Sequence, residues 1–381
     1  MEMAASGALA AALTGGFRRD RVAAASESAR TISDMDKPIV VRAYDPEATF
    51  WDYKTADYLD FIRPEIVDGM LGRGIMRLTA ERSVEGAWRK LIPNYSVGER
   101  VAIKPNFNSL HLDADGLITC PQLIRAVVKG LVESLSVRES DIYVYDLCKW
   151  IPAGKIRDRV GFQINYVERR KDGFFDSRIA TRLGWGLESA DKSARVEMSS
   201  QIADSDGDAI ECFMPKVLTN CEHLINIALL SNHPFLAISG PLKNHFGTVR
   251  FSNYSSYPGA LHGAALEPSI VDLNMNPHIR DKTRLFVCDA LLGQFARGEG
   301  GFAQKWKTFP SEDEVPNSLF FATDAVAMES MLLYFVNRER RERGLEIRSH
   351  EYLHLADRRG LGVHEDIKRL DEIEKISFAA A

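Results

Sequence analysis

Between Ser239 and Gly247 the chain reads SGPLKNHFG, which crowds a lysine, an asparagine and a histidine between two glycines. Gly240-Pro241 interrupts any regular element, and Gly247 permits a tight backbone turn. Lys243 offers a positive charge, Asn244 a donor and an acceptor, and His245 a titratable imidazole. With an unperturbed pKa of about 6.5, an imidazole suits proton transfer near neutral pH. Such a loop can bind a small anion and move a proton. The competing reading is a structural turn with a capping asparagine and a packed histidine.

A second polar cluster, Lys104-Pro105-Asn106-Phe107-Asn108, follows the strand-like run RVAIK. Ligands of open α/β sheets sit beyond the carboxyl ends of strands, where Lys104, Asn106 and Asn108 would lie. Asp146 ends the next strand-like run, DIYVYD, and Asp289 follows a third, RLFVC. Three such strand ends at one rim would make a site. Turn chemistry alone also favours Asn, Asp and Pro at these places. In IVDLNMNPHIR, Asp272 and Asn274 offer oxygen ligands to a divalent cation, or else are polar groups on a helix surface. The glycines between Gly293 and Gly301 would let backbone N–H groups approach an anion. The sequence has no Walker motif, no true G-x-G-x-x-G and no G-x-S-x-G elbow.

The elements that must position these residues alternate between strand and helix. The strand Arg100–Lys104, a helix over Pro121–Leu135 with Thr119 as its cap, and the strand Asp141–Asp146 form a β–α–β unit, which predicts parallel neighbours. Residues 55–92 have apolar positions at helical spacing. Further strands are expected at Ile39–Tyr44, Arg195–Met198, Ala209–Met214, His223–Leu230, Arg284–Cys288 and Ser318–Ala322. Helices are expected at Pro268–Arg280, at Thr323–Arg341 and from Glu351 onward. The alternation predicts a three-layer α/β fold, with a mixed, mostly parallel sheet and flanking helices. Residues 38–381 would form one domain after a tail of residues 1–37.

The 381-residue chain is 45% hydrophobic and 27% charged, with a net charge of −5, so no general attraction to nucleic acid or anionic membrane is expected. None of its 5 cysteines forms a C-x-x-C pair, and no iron–sulfur cluster is expected from this chain alone. Cys212 and Cys221 bracket Pro215 in a way compatible with a hairpin, and with a disulfide if the protein is exported. The run MAASGALAAAL is too short to span a bilayer. Either residues 3–25 are a signal remnant and the protein is exported to the periplasm, or they are a weakly helical tail of a cytoplasmic protein.

In order, VAIKPNFN, the helix opened by ITCP, IYVYD, GPLKNHFGTV, IVDLN, LFVCDAL, ATDAVAMES and YLHLADRRGLG resemble the family catalogued as domain of unknown function 362, across residues 98–364. The resemblance implies an α/β fold and a shared site near Lys104, Asn106, Lys243, Asn244 and Asp324. It implies no agreed activity. Some relatives carry a ferredoxin-like segment with iron–sulfur cysteines, which implies redox work. This chain lacks that array, so electrons would come from a partner or another cofactor. Its GEGG also departs from the Gly-Gly-Pro form expected in the glycine loop. Many relatives bear twin-arginine export signals.

Two functions are therefore expected to compete. The first is an enzyme acting on a small anionic organic substrate with a redox or proton-transfer step. Lys104 and Lys243 would hold the anion, Asn106 and Asn244 would orient it, and His245 would be the acid/base. Asp146, Asp272 or Asp324 would orient His245 or bind a divalent cation. The second is a non-catalytic binder of an anionic ligand or of an electron-transfer partner. Both require Lys243, Asn244 and His245 to come within a small ligand's width of Lys104 and Asn106.

Overall fold

A computed structural model describes residues 37–54, 57–109, 116–168, 190–204, 206–252, 258–263, 266–296, 302–309, 314–348 and 351–381. The tail of residues 1–36 and the glycines at 298, 300 and 301 lie outside the described residues.

The main sheet is built from β1 (Ile39–Tyr44), β2 (Val101–Pro105), β3 (Ile142–Asp146), β4 (Asn165–Glu168), β7 (His223–Ser231), β9 (Thr283–Gln294), β10 (Ser318–Ala322) and β11 (Ser377–Ala380). The spatial order is β11-β1-β10-β9-β7-β2-β3-β4. β10 runs antiparallel to both its neighbours, and every other pairing is parallel. A small antiparallel sheet is made of β5 (Ala190–Val196), β6 (Cys212–Pro215) and β8 (Arg250–Phe251). The mixed, mostly parallel α/β architecture matches the sequence expectation.

One face of the main sheet carries α1 (Pro64–Thr79), α2 (Val84–Leu91) and α3 (Pro121–Leu135). Val67, Met70, Leu71 and Ile75 of α1 recur at helical spacing and pack with Val101, Ile103, Ile225 and Ile227. The other face carries α4 (Pro241–Asn244), α5 (Leu266–Met275), α6 (Ala325–Glu342) and α7 (Glu351–Arg358). There Leu273, Met331, Leu332 and Tyr352 pack with Ala102, Leu224 and Phe286. Successive strand residues point to opposite faces, so β2 sends Val101 and Ile103 one way and Ala102 and Lys104 the other.

Several local expectations need correction. Residues 55–92 hold two main helices, because Ala80 takes a left-handed φ of 57° and Ser83 caps a new helix by accepting from Gly86 N. The Pro268–Arg280 helix is interrupted at Asn276, whose side chain caps a second short turn. Thr119 does not cap α3. Its hydroxyl accepts from Asn106 N and donates to Ile227 O, tying a loop to the sheet. Cys212 and Cys221 do not flank a hairpin, since a helical turn over Lys216–Thr219 follows Pro215, and both thiols are free.

Candidate functional site

Lys104 and Asn226 face one another across β2 and β7 as register partners. Each sits in a strand that is otherwise apolar, and each needs buried hydrogen-bond partners. The Lys104 ammonium, 1% exposed, donates to Pro105 O at 2.8 Å, Asp146 Oδ2 at 3.0 Å and Asn244 Oδ1 at 3.4 Å. An ammonium has three hydrogens, so this set saturates it. Asp146 also accepts from Cys148 N at 2.9 Å through its other oxygen.

The SGPLKNHFG segment lies over this pair. Asn244 Nδ2 donates to Lys104 O at 2.9 Å and to Asn226 Oδ1 at 2.8 Å. Asn226 Nδ2 in turn donates to Pro241 O at 2.9 Å and to His245 Nε2 at 3.0 Å. His245 Nε2 is therefore the acceptor, and Nδ1 carries the hydrogen of the neutral ring, donating to Thr248 Oγ1 at 3.1 Å. Thr248 shares a further hydrogen bond with the Tyr145 hydroxyl. Burial, assisted by the Lys104 charge, pushes the His245 pKa down to about 3. A Cβ on Gly247 would stand 3.0 Å from Lys104 Nζ, so glycine lets the turn close over the ion pair.

Lys243 differs from Lys104. It is 8% exposed, and its ammonium stands 4.1 Å from the Phe246 ring centroid. It makes no hydrogen bond or ion pair with any described residue. Burial lowers its pKa to about 7. The Lys104 charge adds to that shift, and Glu329 opposes it weakly. Cys148 is half-buried, and burial followed by Asp146 pushes its thiol up to about 11, which keeps it protonated at neutral pH.

Sequence reasoning missed Asn226 and Glu329. Glu329, fully buried on α6, accepts from Leu242 N at 2.8 Å and from the Tyr352 hydroxyl at 2.7 Å. Burial raises its pKa to about 7. Each had a signal, because Asn226 interrupts the apolar run LINIALL and Glu329 interrupts AVAMESMLL. A polar residue inside a buried run needs a partner.

The structure brings Lys104, Asp146, Lys243, Asn244 and His245 into one neighbourhood. It places the other expected residues differently. Asn106 makes a local turn, its Oδ1 accepting from Asn108 N at 3.0 Å, and Asn108 is exposed. Asp289 does not end its strand, because β9 continues to Gln294. Its carboxylate accepts from Cys120 N at 2.9 Å, and so caps α3 on the opposite face from Lys104. Asp324 is the N-cap of α6 and accepts from Val326, Ala327 and Val363 N–H groups. Because β10 is antiparallel to β9, Asp324 follows the strand end at the opposite edge from Asp146. Asp272 accepts from Ser199 and pairs with Arg359, whereas Asn274 donates to Leu242 O and Ile270 O. Residues two apart on a helix do not face each other, so this pair does not converge on a cation.

Among the described residues no helix is long and apolar enough to cross a membrane. No curated protein matches the sequence. Solved structures with some likeness include a protein from Thermotoga maritima, at 12% identity and TM-score 0.34, matching 58% of this chain and 52% of that one. Another is the lactate racemase apoprotein from Thermoanaerobacterium thermosaccharolyticum, at 7% identity and TM-score 0.35, matching 78% of this chain and 57% of that one. The chain thus spans little more than half the length of either structure. The sequence profile of the family described as Domain of unknown function (DUF362) matches residues 101–333, which hold β2, the Lys104 cluster and the start of α6. The chain belongs to the DUF362 family.

Proposed function

We propose that the chain binds a small anionic organic molecule at Lys243, and that Lys243 rather than His245 is its proton-transferring group. The observation that carries this reading is the contrast between two buried lysines. Lys104 has a hydrogen-bond partner for each of its hydrogens, whereas among the described residues Lys243 has no hydrogen-bond partner and only the Phe246 ring beside it. A buried ammonium without a partner loses solvation and either gives up its proton or takes a counter-ion. A ligand carboxylate or phosphate would be that counter-ion. His245 suits the role poorly, since both ring nitrogens are engaged and its pKa lies near 3. An amine near 7 is matched to acid/base work at neutral pH. His245 would instead hold the turn that presents Lys243. Non-catalytic binding at Lys243 is the second reading, favoured by the same missing partner, and turnover separates the two.

The test is ¹³C-lysine NMR of the full chain, with Lys243 assigned from the signal lost in Lys243→Ala. Alone, Lys243 is expected to titrate near pH 7. Inorganic phosphate or succinate should raise that midpoint by about one unit or more. Binding should weaken at least about tenfold in Lys243→Ala, without recovery in Lys243→Met. A Lys243 signal titrating near the ordinary lysine value, or unmoved by every anion tried, rules the reading out.

A further inference from the structure

Near the carboxyl end, three side chains meet whose types are those of a transition-metal site. His354 lies on α7, and His364 and Asp366 follow it. One ligand atom from each falls within 4.8 Å of the others. Asp366 Oδ1 is 2.9 Å from His364 Nε2 and 3.6 Å from His354 Nε2. The two rings stand edge to face, with centroids 4.5 Å apart.

Counting hydrogens at His364 shows what this meeting point requires. Ser330 Oγ is 2.8 Å from Val326 O and 2.7 Å from His364 Nδ1. A carbonyl only accepts, so the hydroxyl hydrogen goes to Val326. Ser330 must then accept from His364 Nδ1–H. In a neutral ring this leaves a lone pair on Nε2, facing a carboxylate oxygen that also has only lone pairs. Two acceptors at that distance need a cation between them, either a proton or a metal ion. The second imidazole at the same carboxylate adds a ligand that a proton would not use. Fixing the tautomer of a ligating histidine through a hydrogen bond from its other ring nitrogen is the usual outer support of a metal site.

We propose that His354, His364 and Asp366 bind one divalent cation of borderline softness, such as Zn²⁺, with remaining ligands drawn from an adjoining cavity. Two imidazoles and one carboxylate suit such ions better than Mg²⁺ or Ca²⁺. Metal–ligand bonds of about 2.0–2.2 Å place tetrahedral ligand atoms about 3.4 Å apart. The 3.6 Å separation already fits, and the 2.9 Å contact must open by about half an ångström. Asp366, with its side chain 50% exposed, has room to make that adjustment. His364 and Asp366 also line a cavity of about 260 Å³, whose wall includes Tyr334, Asn337, Arg341 and Lys368.

The experiment uses the untagged full chain, stripped by a chelator and titrated with Co²⁺ and Zn²⁺ by calorimetry and visible absorption. One equivalent is expected to bind, with Co²⁺ giving ligand-field bands. Affinity should fall at least about tenfold in Asp366→Asn and in His354→Gln, and by a similar factor in Ser330→Ala. Lys243→Ala should leave it unchanged, so this site can fail independently of the Lys243 reading. The half-exposed Asp366→Asn variant should melt with the metal-free wild type, which separates lost binding from lost folding. Absence of stoichiometric binding, or equal binding in wild type and both ligand variants, overturns the proposal and leaves only a His364–Asp366 ion pair.

Discussion

The Asn226 amide donates to His245 Nε2 at 3.0 Å, and this one bond decides which nitrogen of the ring holds its hydrogen. Asn226 cannot be turned around, because its Nδ2 also serves Pro241 O while its Oδ1 accepts from Asn244. The amide is therefore assigned by three partners at once. His245 is expected to stay neutral, as the Nδ1–H tautomer, from pH 8 down to about 4. Nitrogen-15 NMR of the imidazole reads this directly. A ring titrating near 6.5 would mean that the Asn226 bond does not hold in solution.

The Lys104–Asp146 pair is buried on both sides, at 1% and 5% side-chain exposure. Removing one partner strands the other charge, which typically costs about 3–5 kcal/mol. Lys104→Met and Asp146→Asn should each lose stability on that scale. The double variant Lys104→Met/Asp146→Asn should recover a substantial part, because no unpaired ion remains. Denaturant unfolding of the four proteins gives the coupling. Lys104→Met should also raise the Lys243 midpoint, since it removes a like charge. Simple additivity of the two losses would show that the pair does not act as a unit.

Gly240 packs against Glu329 so closely that an added Cβ would stand 2.7 Å from the carboxylate carbon. Its φ of −75° is ordinary, so the demand is for space rather than for a glycine conformation. Glu329 is held by Leu242 N and Tyr352 and cannot move aside freely. Gly240→Ala should therefore cost about 1–3 kcal/mol, the usual range for forced overpacking. Thermal unfolding of that variant, unchanged from wild type, would argue that the turn is looser than it looks.

The parallel β2–β3 unit and its crossover helix were legible in the sequence because both strands are continuous apolar runs and α3 opens with proline. The pairing of LKNHFG with KPNFN was legible as chemistry, through polar residues at breaks in regular structure. What misled was proximity in sequence to a strand end. Asp289 looks terminal in RLFVCD, yet ALLGQ continues the strand, and its carboxylate accepts from the Cys120 amide that precedes α3 and from Leu291 N. Asp324 looks like a site residue and is a helix cap. Asn226 and Glu329 showed in the sequence only as polar residues inside apolar runs; their partners arrive from other elements, which only the tertiary fold brings near. His354 closes the run His350-Glu351-Tyr352-Leu353-His354, a local metal-binding pattern that sequence reasoning missed, whereas His364 and Asp366 reach it only through the fold.

Two buried groups in one neighbourhood should give opposite pH dependences of stability, and their opposition is open to measurement. His245 has its folded pKa near 3, below the ordinary 6.5. Its contribution is complete above 6.5 and is lost as pH falls toward 3, because the unfolded chain binds a proton that the fold refuses. Glu329 has its folded pKa near 7, above the ordinary 4.5. Its contribution is complete below 4.5 and is lost as pH rises through 7. Between pH 4.5 and 6.5 the slopes are equal in size, about 1.4 kcal/mol per pH unit, and opposite in sign. These two contributions should nearly cancel in the wild-type chain. His245→Gln should unmask a stability that falls with rising pH across that window, and Glu329→Gln one that rises. Difference curves against wild type remove contributions shared with other buried acids such as Asp289 and Asp324. Above pH 7, Lys243 should add a further rise, since its unfolded form still holds a proton that the folded amine has released. Urea unfolding at half-unit pH steps measures all four proteins, Lys243→Met included. Parallel curves for wild type, His245→Gln and Glu329→Gln would mean that neither group is as dry as the packing requires.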